Sequence, residues 1–292
     1  MSTVVMSAGL GLLGLLVGSF LNVVISRVPE GLSVVTPPSR CPKCSHRLSW
    51  FENIPVLSWI VLRGRCRRCS AGISFQYPLV EILTGVLYLA CGRRFGWSGE
   101  LALALAVVSL LVPLTFIDLQ HWILPFTLTL PGIGAGLGGA LWLGPSSRVW
   151  DALLGAALGF FGFWALEWLG AKIFRKEALG GGDKYLLALI GAFLSHRALL
   201  GVVFLASFQG ALVGLVLLWV TGRAGPVASS DRTESPPGSK AEDEEDDWVP
   251  GPTNIPFGPW LSLAAIELLL LGPFLGRVLP EPLGVYLTGW TG

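Results

Sequence analysis

Apolar residues in this chain come in long unbroken runs rather than in the alternating or one-face pattern of a water-facing fold. The first extends from Val4 to Ile25, and others recur near 77–92, 100–118, 123–143, 150–171, 184–201, 202–221 and 257–279. Crossing a hydrocarbon core of about 30 Å takes about 20 helical residues, so the pattern predicts about eight transmembrane helices. The expected fold class is an all-α polytopic membrane protein with a small cytoplasmic insert. Only Ser195-His196-Arg197 interrupts the stretch from 184 to 221, which leaves seven spans with one re-entrant segment as the alternative. The opening run lacks a basic leading region and an Ala-x-Ala cleavage site, so it reads as an uncleaved span.

Composition agrees: 52% of the 292 residues are hydrophobic and 13% charged, outside the usual range for a water-soluble domain. The net charge of +1 carries no sign of a nucleic-acid partner, because backbone binding needs a concentrated basic surface. The placement of charge says more. Segments 27–75, 172–184 and 222–255 hold fifteen of the Lys and Arg residues, and the alternate segments hold five. By the positive-inside rule the first set faces the cytoplasm, and eight spans then put both termini outside.

Between the runs the chain divides into a first helix (1–26), a polar insert (27–75), a core of helices (76–221), a linker (222–255) and a last helix with its tail (256–292). The linker contains the acidic run Glu242 to Asp247 and has the composition of a solvated, disordered loop. Asn254-Ile255-Pro256-Phe257-Gly258-Pro259 then imposes a rigid, non-helical entry into the last run. Glycines recur at Gly132, Gly134, Gly136, Gly138 and Gly139, and again at Gly155, Gly159 and Gly162. Such spacing lets helices approach closely, as ordinary packing or as a loose seam through which a substrate helix enters sideways. No internal repeat is legible.

Four of the cysteines form two C-x2-C pairs, Cys41 with Cys44 and Cys66 with Cys69. Two such pairs direct four thiolates at one tetrahedral centre, closing the shell around a structural zinc, with a rubredoxin-like iron as the alternative. A reducing cytoplasm disfavours disulfides. An insert of about 49 residues also needs such a staple, being too short for a large hydrophobic core of its own. His46 is superfluous beside four sulfurs, and Cys91 reads as a small packing residue. Arg40, Lys43, Arg47, Arg63, Arg65, Arg67 and Arg68 make the insert basic, suited to anionic head groups.

Asp118 ends the third run and Asp183 opens the sixth, so the topology puts both at the cytoplasmic edge. Two carboxylates within hydrogen-bond reach share a proton; one then acts as general base on a water while the other donates to a scissile carbonyl. Gly180, Gly181 and Gly182 give Asp183 an approach free of side chains. Helix capping is the other reading of both acids, and spacing alone does not decide between them. Glu81 lies one turn into the second run, where an ionisable group seeks an interior donor or a part in a site. Asn22 and Ser19 read as interhelical hydrogen-bonding groups.

The chain resembles the bifunctional type IV prepilin peptidases. The resemblance rests on Gly18-Ser19-Phe20-Leu21-Asn22 leading to Arg27 and Pro29, the two cysteine pairs in Ser39 to Cys44 and Gly64 to Cys69, and Asn53-Ile54-Pro55 with Ser58-Trp59. It continues through Ile73-Ser74, Tyr77-Pro78, Val80-Glu81, Phe116-Ile117-Asp118, Leu124-Pro125, Gly180 to Asp183 and Ile255 to Pro259. It implies an inner-membrane aspartic endopeptidase that removes the leader of prepilins or pseudopilins after a glycine on the cytoplasmic side. The new amino terminus is then N-methylated with S-adenosylmethionine as methyl donor. Asp118 and Asp183 match the family's catalytic acids, and Cys41, Cys44, Cys66 and Cys69 its zinc ligands.

Two positions depart from the family pattern. Phe126 stands where the family often has the aspartate of Leu-Pro-Asp, and Lys184-Tyr185 replace the order in which a lysine follows Asp183 by two residues. The competing functions are a non-enzymatic zinc-ribbon scaffold of a pilus or secretion system, and a transporter using its acids as a proton relay.

Overall fold

The computed structural model describes residues 3–174, 181–221 and 255–278. Nine α-helices lie in the described residues: α1 (Thr3–Arg27), α2 (Leu57–Val61), α3 (Gln76–Phe95), α4 (Gly99–His121), α5 (Phe126–Leu143), α6 (Ser146–Phe174), α7 (Asp183–Leu194), α8 (His196–Thr221) and α9 (Gly258–Val278). Most of the expected linker, Gly180 and the tail beyond 278 fall outside the described residues.

Six helices (α1, α4, α5, α6, α8 and α9) are long and apolar enough to cross a membrane. α3 is long enough but carries Glu81, Arg93 and Arg94. The expected pair 184–201 and 202–221 is corrected: the chain breaks at Ser195, whose backbone turns to φ 74° and whose N–H bonds to Gly191 O at 2.9 Å. α7 therefore has 12 residues and rises only about 18 Å, short of the membrane's thickness. It survives as a short helix because it is enclosed: Leu186 to Leu194 are all buried, packed chiefly by α6 and α5, with α8 and α9 closing the remainder.

The glycines explain how closely α7 is held. Gly155 of α6 meets the Gly191 backbone, and Gly159 meets Leu187 O, so no side chain fits at either crossing. Gly132 and Gly136 of α5 receive Leu189 and Ala192, and Gly139 receives Leu103 of α4, whereas Gly134, Gly138 and Gly162 face open space. Sequence spacing flagged the stripe; only the packing separates the glycines that permit contact from those that do not.

α1 and α3 form a second tight pair. Gly14 lies against Thr84 and Gly85, and Gly18 against Glu81. Asn22 Nδ2 donates to Tyr77 O at 3.1 Å, as expected of an interhelical polar group. α4 runs between this pair and the α5–α7–α9 group. Tyr88 of α3 bonds Ser109 of α4 at 2.7 Å, and Gln120 near the end of α4 donates to Gln76 at the start of α3 at 2.8 Å. The base of the insert and the end of α4 thus share one edge of the bundle.

Candidate active site

α4 stops where Trp122 adopts the left-handed region (φ 58°) and donates its N–H to Asp118 O at 3.0 Å. This C-terminal turn fixes Asp118 in the last turn of the helix, with its side chain only 5% exposed. The chain reverses through Leu124-Pro125, and the Pro125 carbonyl accepts from Leu128 and Thr129 to start α5. Asp183 is the first residue of α7, also 5% exposed. The capping alternative is not what the geometry displays, since no side chain caps α7.

α9 brings the two acids into one cluster. Phe257 O accepts from Trp260 and Leu261, which makes Gly258 the first helical residue and leaves its N–H outside the helix's own bonding. That amide is turned towards the Asp118 carboxylate, while Asp118 Oδ2 is buried with no hydrogen-bonding partner in the described residues. A side chain at Gly258 would collide with Oδ2. The Leu124 side chain fills the space between Gly258 and Gly182, the residue before Asp183. Asp118 and Asp183 therefore flank the same leucine, close enough for the charge of one to act on the other.

Gly258→Ala is expected to lower turnover by about 10²-fold or more, the scale on which a misplaced catalytic group costs rate. KM should change little. Kinetics of the leader cleavage that the resemblance implies check this, and a wild-type turnover number would show that the Gly258 contact with Asp118 does not matter to the reaction.

The two departures from the family pattern meet in space. Phe126 at the start of α5 packs edge-on against Tyr185, ring centres 4.7 Å apart, and Tyr185 packs edge-on against Phe160 at 5.2 Å. Lys184 does not turn to the aspartates; its Nζ pairs with Glu167 of α6 at 2.9 Å. Glu167 is itself near enough to act on Asp183, and the lysine partly neutralises it. Sequence reasoning passed over Glu167 and Ser262, and read Gly258 only as part of the rigid entry to the last run and of the resemblance. Ser262, one turn along α9 from Gly258, has a fully buried hydroxyl with no partner in the described residues. A polar residue in an apolar run was the signal available for it.

At the same edge, the insert brings Cys41, Cys44, Cys66 and Cys69 together with all four sulfurs within 4.8 Å of one another. Cys41 and Cys69 sulfurs are 3.8 Å apart, and Cys44 and Cys66 sulfurs 3.9 Å apart. A tetrahedron with metal–sulfur bonds of about 2.3 Å has edges of about 3.8 Å, so the donor set fits zinc. Two equivalent turns build it. Cys41 O accepts from Ser45 and Cys66 O from Ser70, both serines at φ 55°, while the Cys41 and Cys66 N–H groups donate to His46 O and Ala71 O. This two-fold motif is a small repeat that the sequence did not disclose beyond its cysteines.

Backbone N–H groups of Cys44 and Lys43 aimed at Cys41 lower its thiol to about 6, and those of Cys69 and Arg68 lower Cys66. His46 N–H favours the Cys44 thiolate, but burial and the neighbouring sulfurs outweigh it and push Cys44 up to about 11. Four thiolates at one centre thus call for a cation, which is the chemistry of a closed structural site. His46 instead faces Glu52 at 3.4 Å. The Ser49 N–H, at 2.8 Å, and then His46 hold the Glu52 carboxyl below its usual range.

The insert is tied to the bundle by Glu81, whose Oε2 accepts the Val56 N–H at 2.7 Å. Val56 has φ 62°, a conformation a β-branched residue adopts only when its surroundings impose it. Cys91 is fully buried and apart from the other cysteines, a packing residue.

Fold and site together define a polytopic helical membrane protein with paired buried carboxylates and a four-cysteine insert at one edge. The chain belongs to the type IV leader peptidase family. Residues 105–215, which include both aspartates, match the Type IV leader peptidase family, and residues 12–95, which include the four clustered cysteines, match the Bacterial Peptidase A24 N-terminal domain. It is 52% identical to the prepilin leader peptidase/N-methyltransferase of Myxococcus xanthus DK1622, over 95% of this chain and 93% of that one. Proteins of the same name from Aeromonas hydrophila and Xanthomonas campestris are 39% and 36% identical, over 91% and 89% of both chains respectively. No solved structure matches.

Proposed function

We propose that this chain is a bacterial inner-membrane aspartic endopeptidase that removes the leader of type IV prepilins or pseudopilins after a glycine, and that it N-methylates the amino terminus so exposed. The observation that carries the proposal is the placement of two buried carboxylates around Leu124 and the α9 terminus. In the proposed mechanism the two acids hold one proton between them. The ionised acid takes a proton from a water as it attacks the scissile carbonyl, and the protonated acid donates to that carbonyl oxygen. The Gly258 amide holds Asp118 in register from the unbonded end of α9. The glycine before Asp183 lets Leu124 pack directly against the backbone that presents this acid.

The charge distribution supports a cytoplasmic position for this edge and for the insert, so a basic leader meets the acids without crossing the membrane. The four cysteines would hold a structural zinc. S-adenosylmethionine would supply the methyl group, and no residue is assigned to it. The scaffold reading predicts dispensable aspartates and explains neither the burial of both acids nor the match to peptidase relatives.

The test incubates the purified full chain with a prepilin and labelled S-adenosylmethionine, following leader removal and label separately. Shortened product carrying label is the expected result. Intact prepilin after prolonged incubation would overturn the peptidase reading, and shortened product without label the methyltransferase one.

A further inference from the structure

A groove with a volume of about 730 Å³ lies between α6, α7 and α8, away from the insert. Its wall on α6 runs from Leu158 past Gly162 to Leu166, and on α8 it is closed by Leu199 and Val203. Gly162 is what opens it, because a Cβ there would meet nothing within 4 Å. The lining is almost wholly apolar except at one end, where His196 and Arg197 begin α8. His196 Nδ1 faces the Asp151 carboxylate of α6 at 3.5 Å. Arg197 is exposed and has no carboxylate partner among the described residues.

We infer that this groove binds a membrane phospholipid, its acyl chains along Gly162 and Leu166 and its phosphate on Arg197. The groove is open along its length between two helices long and apolar enough to span, so its ordinary neighbour is lipid. Among its described lining residues Arg197 is the charge without a carboxylate partner, at the end where a head group would lie, and a guanidinium binds a phosphate through charge-assisted hydrogen bonds.

The inner end of the groove reaches the candidate active site. Phe163 lines the groove and stacks on Phe257 with ring centres 6.2 Å apart and planes within 15°. Phe257 caps α9 and precedes Gly258, which lies against Asp118. Bound acyl chains would back the Phe163–Phe257 stack and so steady the α9 terminus. The lipid site itself stands independently of the peptidase reading.

The experiment labels the purified full chain with phosphatidylglycerol bearing a photoreactive acyl chain and maps the crosslinked peptides. Label is expected on α6 and α8. Gly162→Leu fills open space and should cut that label about tenfold, as loss of fitting apolar volume in a pocket does, with thermal stability unchanged. Leu200→Trp, on the exposed side of the other wall, serves if Gly162→Leu fails to fold. Arg197→Gln should lower labelling by phosphatidylglycerol but not by a diacylglycerol carrying the same chain. Label spread evenly over all lipid-facing helices, or unaffected in both filling variants, would overturn the proposal. So would an unchanged label accompanied by a raised KM for prepilin in Gly162→Leu, which would give the groove to a substrate helix.

Discussion

Leader cleavage is expected to fall by about 10⁴-fold or more when either Asp118 or Asp183 is replaced by asparagine, since in the proposed mechanism each acid is one half of a proton-sharing unit. General acid–base assistance by one positioned group is worth about 10²–10⁴, and groups that act as a unit fail together when either is removed. The double variant should therefore be scarcely slower than either single one. Asparagine keeps the volume of aspartate in a buried, tightly packed site, so Leu124 and Gly258 stay in place and the loss reports chemistry rather than unfolding. Methyl transfer to a substrate already trimmed should survive, because the proposed proton transfers belong to hydrolysis alone. Time courses of prepilin shortening in membranes carrying each variant check this. Cleavage at the wild-type rate by Asp118→Asn or Asp183→Asn would leave both acids without the proposed role.

Much of this site is legible in the amino-acid sequence, and the parts that are not have a common physical cause. The helices were legible because crossing a membrane demands long apolar runs. The cysteine cluster was legible because metal geometry fixes local spacing. What escaped was set by contacts between segments far apart in the chain. Nothing near Asp118 in sequence says that the first amide of α9 will face it, and nothing near Lys184 says that it will turn to Glu167 of α6. The length of α7 escaped for a related reason: hydropathy does not distinguish a helix that crosses lipid from a shorter one enclosed by its neighbours, and Leu186 to Leu194 are enclosed.

The same limit applies to the two departures from the family pattern, Phe126 and Tyr185. Taken singly each removes a polar group near the aspartates. In the fold they touch, and Phe160 completes an aromatic contact on the far side of Tyr185. Edge-on aromatic pairs contribute about 0.5–1.5 kcal/mol beyond their burial, so this chain joins the start of α5 to the first turn of α7 by ring packing. The turn that presents Asp183 is thereby held in part by ring packing, and Lys184 pairs with Glu167.

Replacing Cys41 and Cys66 together by serine is expected to remove the metal and unfold the insert while the helices remain folded. The two substitutions take one ligand from each knuckle, leaving Cys44 and Cys69 on opposite turns with no closed shell. Little else holds the insert: Trp50, Leu57, Ile60 and Val61 are exposed, so its apolar burial is small. Binding of zinc to comparable four-ligand peptides is worth about 10–16 kcal/mol at neutral pH, and that energy is folding energy. Glu81 and the strained Val56 turn cannot replace it, since a single hydrogen bond to a charged group contributes only about 1.5–3 kcal/mol. Elemental analysis of the purified full chain should find about one zinc per protein in the parent, as a closed four-thiolate site binds one ion, and almost none in the double variant. Trypsin should then cut between Arg63 and Arg68, where the folded knuckle resists it. An unchanged metal content in the double variant would refute the ligand assignment, and iron in place of zinc in the parent would make the cluster a rubredoxin-like centre.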